Sequence, residues 1–190
     1  MTFRFGDAVE WEAWLAGQHD EPEGAWLVVA RKGYAGIAIG EARDVALCYG
    51  WIDSQRKAHD ATSFLQRYSR RRPGSPWSRI NVERVEELLA AGRMRPPGLA
   101  EIAAAKADGR WDAAYESQRT AAVPPDLAVA LAENPVAATA FEALSKTDRY
   151  AVILPVLKAR TPASRATRVE RTVEQLRSDA PPAPGSPSRP

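Results

Sequence analysis

The sequence predicts an α+β fold, with a small antiparallel-type sheet and flanking helices followed by an all-helical C-terminal part. Short runs rich in β-branched and aromatic residues, which are typical of strands, predict strands in the first seventy residues. Patterns with the helical period lie between these runs and continue alone further along the chain. Mixed elements followed by helices alone argue against a doubly wound parallel sheet.

The first predicted elements are a helix, a strand and a second helix. Asp7 is the predicted N-cap of the first helix, because Glu10 three residues later completes a capping box. Gly17 is predicted to end this helix. Residues 25–30 form an apolar run that is too short for a typical helix and predicts a buried strand. Residues 41–49 then fit a helix that Gly50 ends.

The next predicted elements are two strands and two helices. The strands are residues 51–57 and 63–70, which a polar turn joins. Ser78 is a good N-cap for the helix that follows, and a further helix starts near Pro97, a favoured position in a first turn. This last helix is predicted to bury Leu99, Ile102 and Ala103.

The remainder of the chain is predicted to be helical until a proline-rich end. The predicted helices are residues 125–133, 135–145, 148–159 and 162–177. We therefore expect an α+β core over residues 1–115, a helical part packed on it over 116–179, and a disordered tail over 180–190, which contains five prolines.

Composition excludes several classes of protein. A formal charge of +2 is too small for a typical nucleic-acid binder, so such a role would have to depend on a local cluster. The single cysteine, Cys48, cannot form an internal disulfide; we expect a buried thiol in a reducing compartment. The N-terminus lacks the apolar core of a signal peptide, and no run approaches the roughly 18 apolar residues of a membrane span. The sequence thus predicts a cytoplasmic protein without membrane insertion.

The most pronounced charge asymmetry begins just after the strand predicted at residues 51–57. Residues 61–82 contain five arginines and no acidic residue. They lead into a helix N-terminus, whose free N–H groups and dipole favour an anion, and arginines can complete such a site. The candidate ligand-binding residues are Trp51, Asp53, Arg67, Arg71, Arg72, Ser78 and Asn81. A solvated basic surface paired with nearby glutamates is the alternative.

The usual catalytic and metal-binding signatures are missing. Neither His19 nor His59 has metal-ligand spacing or lies beside Cys48, and there is no phosphate loop or nucleophile elbow. We therefore expect no metal and no cofactor. Asp53 stands at the start of a strand, where an acid needs solvent or a partner, so it is either a site carboxylate or part of a structural ion pair.

Several motifs resemble those of one protein family. The motifs of the N-terminal half are Ala-Leu-Cys-Tyr-Gly-Trp-Ile-Asp at 46–53, Arg-Arg-Pro-Gly-Ser-Pro-Trp-Ser-Arg-Ile-Asn at 71–81, Glu-Arg-Val-Glu-Glu-Leu at 83–88 and Ala-Ala-Lys-Ala-Asp-Gly-Arg-Trp at 104–111. Those of the C-terminal half are Asp-Arg-Tyr-Ala at 148–151 and Ala-Arg-Thr-Pro-Ala-Ser-Arg at 159–165. Together they resemble the YdeI/OmpD-associated family of bacteriocin-protection proteins. The resemblance implies a role in envelope stress and in resistance to antimicrobial peptides, and it supplies no reaction or catalytic residue.

Three functions are consistent with these observations. The first is a non-enzymatic cytoplasmic stress or bacteriocin-protection protein that binds a small anion or a protein partner at the arginine and tryptophan residues. The second is a nucleic-acid-binding module that uses the basic surface from Arg67 to Arg79. The third is an enzyme with Asp53 as general base, which would require a pocket around that carboxylate. The sequence favours them in that order.

Overall fold

The computed structural model describes residues 1–179, which form two compact units divided between Ala114 and Tyr115. The predicted tail over residues 180–190 lies outside the described part. The first unit combines a sheet with helices, and the second is helical. The α+β fold class that the sequence predicts is therefore confirmed.

The first unit contains four strands and four helices. They are β1 (Thr2–Phe3), α1 (Ala8–Gln18), β2 (Ala25–Ala30), α2 (Ile39–Cys48), β3 (Trp51–Ala58), β4 (Ser63–Arg70), α3 (Arg79–Ala90) and α4 (Pro96–Ala107). The predicted hairpin strands match β3 and β4 closely. β1 is the element that the sequence did not predict, since two residues are too few to show alternation.

The sheet has the strand order β1-β2-β4-β3, with β3 at one edge and β1 at the other. β4 pairs antiparallel with both neighbours, whereas β1 pairs parallel with β2. Trp51 lies opposite Arg70, and Asp53 opposite Tyr68. The register then shifts between Asp53 and Arg56, as at a β-bulge. This hairpin fixes which side chains follow each other along the sheet.

Tryptophan side chains form much of the core between the sheet and α1. Trp11 and Trp51 are both fully buried, and their rings meet edge to face with centroids 6.1 Å apart. Each indole N–H has a backbone partner: Trp11 Nε1 donates to Ala42 O at 3.1 Å, and Trp51 Nε1 donates to His19 O at 2.8 Å. Large buried rings with satisfied N–H groups are strongly stabilising, so Trp51 is part of the core.

The C-terminal end of α2 packs directly against the first turn of α4. Gly50, with φ +72°, turns the chain out of α2, and a Cβ at this position would lie 3.2 Å from Pro97 O. Cys48 O accepts a hydrogen bond from Arg95 N at 3.1 Å. Gly98 lies so close to this carbonyl that an added Cβ would be 2.2 Å from the oxygen. Cys48 itself is buried, and this burial raises the pKa of its thiol.

This close approach explains an error in the sequence prediction for α4. The buried residues of α4 are Gly98, Ile102 and Ala105, which share one face at spacings of four and three. Leu99 is 44% exposed and Ala103 is also exposed, so the prediction that they are buried is wrong. The contact of Gly98 with α2 determines which face of α4 is buried. The hydrophobicity of the individual α4 residues does not determine it.

A partly buried ion pair connects α2 to α3. Asp44, on α2, is 6% exposed and faces the guanidinium of Arg84 on α3. Arg84 Nε donates to Asp44 Oδ1 at 2.8 Å, and Nη2 donates to Oδ2 at 2.5 Å. Because both carboxylate oxygens are engaged, the pair fixes the two helices in register with each other.

The second unit begins at Tyr115 and is helical within the described residues. Its helices are α5 (Pro125–Ala132), α6 (Pro135–Ala143), α7 (Lys146–Leu157) and α8 (Pro162–Ser178). They enclose a core of their own that includes Leu127, Phe141 and Val173. Asp126, in the first turn of α5, accepts hydrogen bonds from Arg165 Nε at 2.6 Å and Nη2 at 2.9 Å, which ties α5 to α8.

Candidate functional site

A cleft of about 350 Å³ lies in the first unit beyond the C-terminal end of β4. It has a mixed lining of charged, aromatic and small residues from four segments of the chain. The lining residues are His19, Asp20, Tyr49, Gly50, Arg70, Arg71, Pro97, Ala100 and Glu101. Charged groups of both signs converge here. We call this hollow the arginine cleft, after Arg70 and Arg71.

The hairpin of β3 and β4 brings two neighbouring arginines to the arginine cleft. Arg70 is the last residue of β4 and pairs with Trp51. The ladder continues for one more bond, because Arg71 N donates to Gly50 O at 3.2 Å. Successive side chains of an extended strand point to opposite faces. Arg71 lies just beyond β4, however, and both side chains line the cleft.

Arg70 is on the exposed side of the arginine cleft. Its Nη1 lies 3.1 Å from Asp20 Oδ1, and the two side chains are 56% and 75% exposed. His19 Nε2 lies 3.6 Å from the other oxygen of Asp20, and the His19 ring is tilted against Tyr49 at 6.3 Å. Exposed ion pairs contribute little to stability. The Arg70 guanidinium can therefore exchange Asp20 for another anion at small cost.

Arg71, in contrast, is buried and held in place. It is 6% exposed, and its guanidinium carbon lies 3.6 Å from the centroid of the Trp77 ring. Its Nη1 donates to Pro76 O at 3.3 Å. Stacking on a buried indole is a favourable position for a guanidinium. Arg71 therefore links the end of β4 to the loop before α3.

A second buried arginine, Arg110, holds Glu101 at the wall of the arginine cleft. Arg110 Nη1 donates to Glu101 Oε1 at 2.9 Å and to Ser75 O at 3.1 Å. Its Nε lies 2.7 Å from Asp108 Oδ2. Burial lowers the pKa of Arg110, but the hydrogen bonds to Glu101 and Asp108 outweigh burial, so the pKa is raised overall. This part of the wall is a fixed hydrogen-bonded network.

Tyr49 adds a phenol to the arginine cleft. The residue is 8% exposed, and burial, together with the nearby Glu12 carboxylate, raises the pKa of its hydroxyl. The cleft therefore combines guanidinium donors and an aromatic residue with two carboxylates.

The structure places the sequence-predicted site residues in several different environments. Among them Arg71 lines the arginine cleft, whereas Trp51 is in the core and Asp53 is exposed on the edge strand β3. Arg67 Nη2 donates to Glu23 O at 2.8 Å. The remaining three are the exposed Arg72, the N-cap Ser78, whose hydroxyl accepts from Asn81 N at 3.3 Å, and the buried Asn81. Of these seven residues, Arg71 alone is part of the lining of the arginine cleft.

Sequence reasoning missed most residues of the arginine cleft. His19 and Asp20 follow α1, and Glu101 lies on α4. Nothing in their local sequence indicates that they meet Arg70. Arg70 itself belongs to the arginine-rich stretch, so that stretch was the signal that could have led to the cleft. Within residues 1–179, no group of three or more His, Cys, Asp or Glu side chains could hold a metal ion.

Two protein families match parts of the chain. The first is described as a domain of unknown function, DUF8412, and it covers residues 3–101, just over half of the chain. The chain belongs to this family. The arginine cleft lies within the matched residues. Comparison with curated proteins and with solved structures finds no match.

The second match confirms the family resemblance over the C-terminal helices. The family described as bacteriocin-protection, YdeI or OmpD-associated matches residues 120–179. The motifs at 148–151 and 159–165 lie inside this match. The motifs between residues 46 and 88, however, lie in the part covered by the first family. No helix in the described part of the chain is long and apolar enough to span a membrane.

Proposed function

We propose that the chain is a non-enzymatic protein of the bacteriocin-protection, YdeI or OmpD-associated kind that acts in the cytoplasm. Its N-terminal unit binds a small molecule through a carboxylate or phosphate group in the arginine cleft. The match over residues 120–179 supports the first part of this proposal. The geometry around Arg70 and Arg71 supports the second.

The observation that carries the proposal is the meeting of two unlike arginines in one cleft. Arg71 is buried and stacked on Trp77, so its position costs little entropy when a ligand binds. Arg70 is exposed and paired with an even more exposed carboxylate. Guanidinium groups match carboxylate and phosphate oxygens with two parallel hydrogen bonds. A fixed and an adaptable guanidinium together suit an anionic group.

The carboxylates of the arginine cleft limit the ligand. Asp20 is exposed and pairs with Arg70, whereas Glu101 is bound to the buried Arg110. An entering anion would displace Asp20 and leave the Glu101 pair intact, because breaking a buried pair costs far more. The remaining wall favours a ligand that also carries donor groups for Glu101. A small zwitterion or a phosphorylated polar molecule has this chemistry.

A non-catalytic role fits the position of Asp53. This residue was the candidate general base, but it lies on β3 and does not line the arginine cleft. Its cross-strand partner is the buried Tyr68. A general base must be within hydrogen-bond reach of a bound substrate. The cleft thus supports binding better than it supports catalysis by Asp53.

The proposal is tested by comparing Arg70→Gln with Arg72→Gln. Both arginines are exposed neighbours in the chain, but Arg72 does not line the arginine cleft, so it is the matched control. Thermal unfolding is measured with phosphate and with succinate at matched ionic strength. A ligand at a hundred times its Kd stabilises the native state by roughly 2.7 kcal/mol. Arg70→Gln should lose most of this gain, and Arg72→Gln should keep it.

Equal gains in all three proteins would contradict the proposal. Phosphate also stabilises proteins through exclusion from their surface, and that contribution is the same in wild type and variants. The difference between the two variants therefore isolates binding at the arginine cleft.

A further inference from the structure

A second hollow, with a basic lining, lies at the opposite end of β4. It has a volume of about 370 Å³ and is lined by Arg31, Arg56, Lys57, Ala58 and Phe64. Phe64 is near the start of β4 and Arg70 at its end, so the two hollows are roughly 20 Å apart along the strand. We call this second site the Phe64 hollow. No acidic residue is part of its lining.

Arg56 is fixed in the Phe64 hollow by two contacts. Its guanidinium carbon lies 4.3 Å from the centroid of the Phe64 ring. Its Nε donates to Gln66 Oε1 at 3.1 Å, and the buried Gln66 in turn donates to Gln55 O at 3.1 Å. A side chain that is already held loses little further entropy on binding. Arg56 nevertheless remains exposed to solvent, so a ligand can reach it.

Arg31 approaches the same ring from the end of β2. Its guanidinium carbon is 5.9 Å from the Phe64 centroid, and its backbone N donates to Thr62 O at 2.9 Å. Within residues 1–179, neither Arg31 nor Arg56 forms an ion pair with a carboxylate. Arg84 and Arg110, in contrast, are paired with Asp44 and Glu101. Two uncompensated guanidiniums thus share one aromatic support.

The other charged groups around the Phe64 hollow do not neutralise the positive charge of Arg31 and Arg56. The Lys57 ammonium lies 4.5 Å from the centroid of the Trp26 ring and adds a third positive charge nearby. The acid of the adjoining turn, Asp60, accepts hydrogen bonds from Thr62 and Ser63. Its other oxygen is 2.9 Å from His59 Nδ1. The Asp60 carboxylate is therefore committed within its own turn.

We propose that the Phe64 hollow binds the phosphate group of a small soluble molecule. Phosphate presents several oxygens to two guanidiniums, and its two negative charges offset the repulsion between them. Nucleic-acid sites instead follow the backbone with a stripe of basic residues and stacking side chains. Here the cations surround a single hollow, and Arg56 already covers the Phe64 ring. A single phosphate group fits this arrangement better than a nucleic-acid strand does.

The test titrates pyrophosphate into wild type and into two variants of equal charge change. Arg31→Glu reverses a charge in the Phe64 hollow, and Arg4→Glu reverses one at an exposed position of the same unit. Amide NMR spectra report both the Kd and the residues affected. We expect saturable shifts at Arg31, Ala58 and Phe64, an affinity about tenfold or more weaker in Arg31→Glu, and little change in Arg4→Glu.

Three results would overturn this inference. One is the absence of saturable binding, and another is an equal loss of affinity in Arg31→Glu and Arg4→Glu. The third is a single-stranded oligonucleotide that shifts the same amides when pyrophosphate does not. Arg31→Gln removes the charge without reversing it, and its unchanged amide spectrum away from the hollow would establish that the fold is intact. The Arg70→Gln variant should bind pyrophosphate at the Phe64 hollow as wild type does, which separates this site from the arginine cleft.

Discussion

Replacing Gly98 with alanine tests the contact between α2 and α4 directly. An added Cβ at this position would lie 2.2 Å from Cys48 O, 2.8 Å from Cys48 C and 2.7 Å from Met94 Cε. The methionine end can rotate away, but the carbonyl belongs to the backbone at the end of α2. Since real Cβ contacts are essentially never below 3.0 Å, α4 would have to withdraw by about 1 Å.

The structure gives the magnitude of this effect. Forcing an additional methyl group into a closely packed contact costs about 1–3 kcal/mol. Withdrawal of α4 also weakens the hydrogen bond from Arg95 N to Cys48 O, which contributes about 0.5–1.5 kcal/mol. The higher helix propensity of alanine offsets about 1 kcal/mol of this loss, because glycine is less favourable in a helix by that amount. We therefore expect Gly98→Ala to lower the free energy of unfolding by about 1–3 kcal/mol.

Gly17 provides the matched control, because it lies in α1 and a Cβ there would meet nothing within 4 Å. Gly17→Ala should raise the free energy of unfolding by up to about 1 kcal/mol. Urea denaturation followed by tryptophan fluorescence suits the comparison, since all six tryptophans precede residue 115 and report on the first unit. If Gly98→Ala were as stable as Gly17→Ala, the close approach of α4 to α2 would be refuted.

Two further predictions concern ion pairs. Asp44→Asn puts amide hydrogens opposite the Arg84 donors in a buried position, so urea denaturation should show a loss of about 1.5–3 kcal/mol; a loss below about 0.5 kcal/mol would count against the pair. In the second unit, hydrogen bonds from Arg165 lower the pKa of Asp126. Its contribution, about 0.5 kcal/mol because both groups are partly exposed, is present above the unfolded pKa near 3.9 and is lost as pH falls through the lower folded value. Wild type should therefore exceed Asp126→Asn in stability at pH 7 and converge with it in acid, and a constant difference down to the lowest pH would contradict this.

Elements set by local chemistry could be predicted from the sequence. The strand predicted at 63–70 matches β4, and Ser78 caps α3 as its residue type and position indicate. The helix predicted at residues 162–177 matches α8, where Thr161 is the N-cap and a proline occupies the first helical position. In each case the signal lies within a few residues of the structure that it specifies.

Features set by packing between distant segments could not be predicted in this way. The sequence predicted Trp51 as a ligand-binding residue together with the arginines that follow it, but Trp51 is in the core. Arg70 meets Asp20 across fifty residues of chain, because the order of the strands places the end of β4 beside the end of α1. The residues that line the arginine cleft depend on this topology. The charge asymmetry of residues 61–82 indicated the region of the cleft, but it did not identify most of the residues that line it.

The two edges of the sheet have a consequence for how the first unit can meet other chains. β3 carries a shift in register between Asp53 and Arg56, and both side chains are exposed at that edge. At the other edge β1 is two residues long, and Ala30, at the end of β2, is paired with Ala38. Bulges, charges and short strands prevent an incoming strand from adding to a sheet. These features disfavour edge-to-edge aggregation of the unit and the extension of its backbone ladder by an incoming strand.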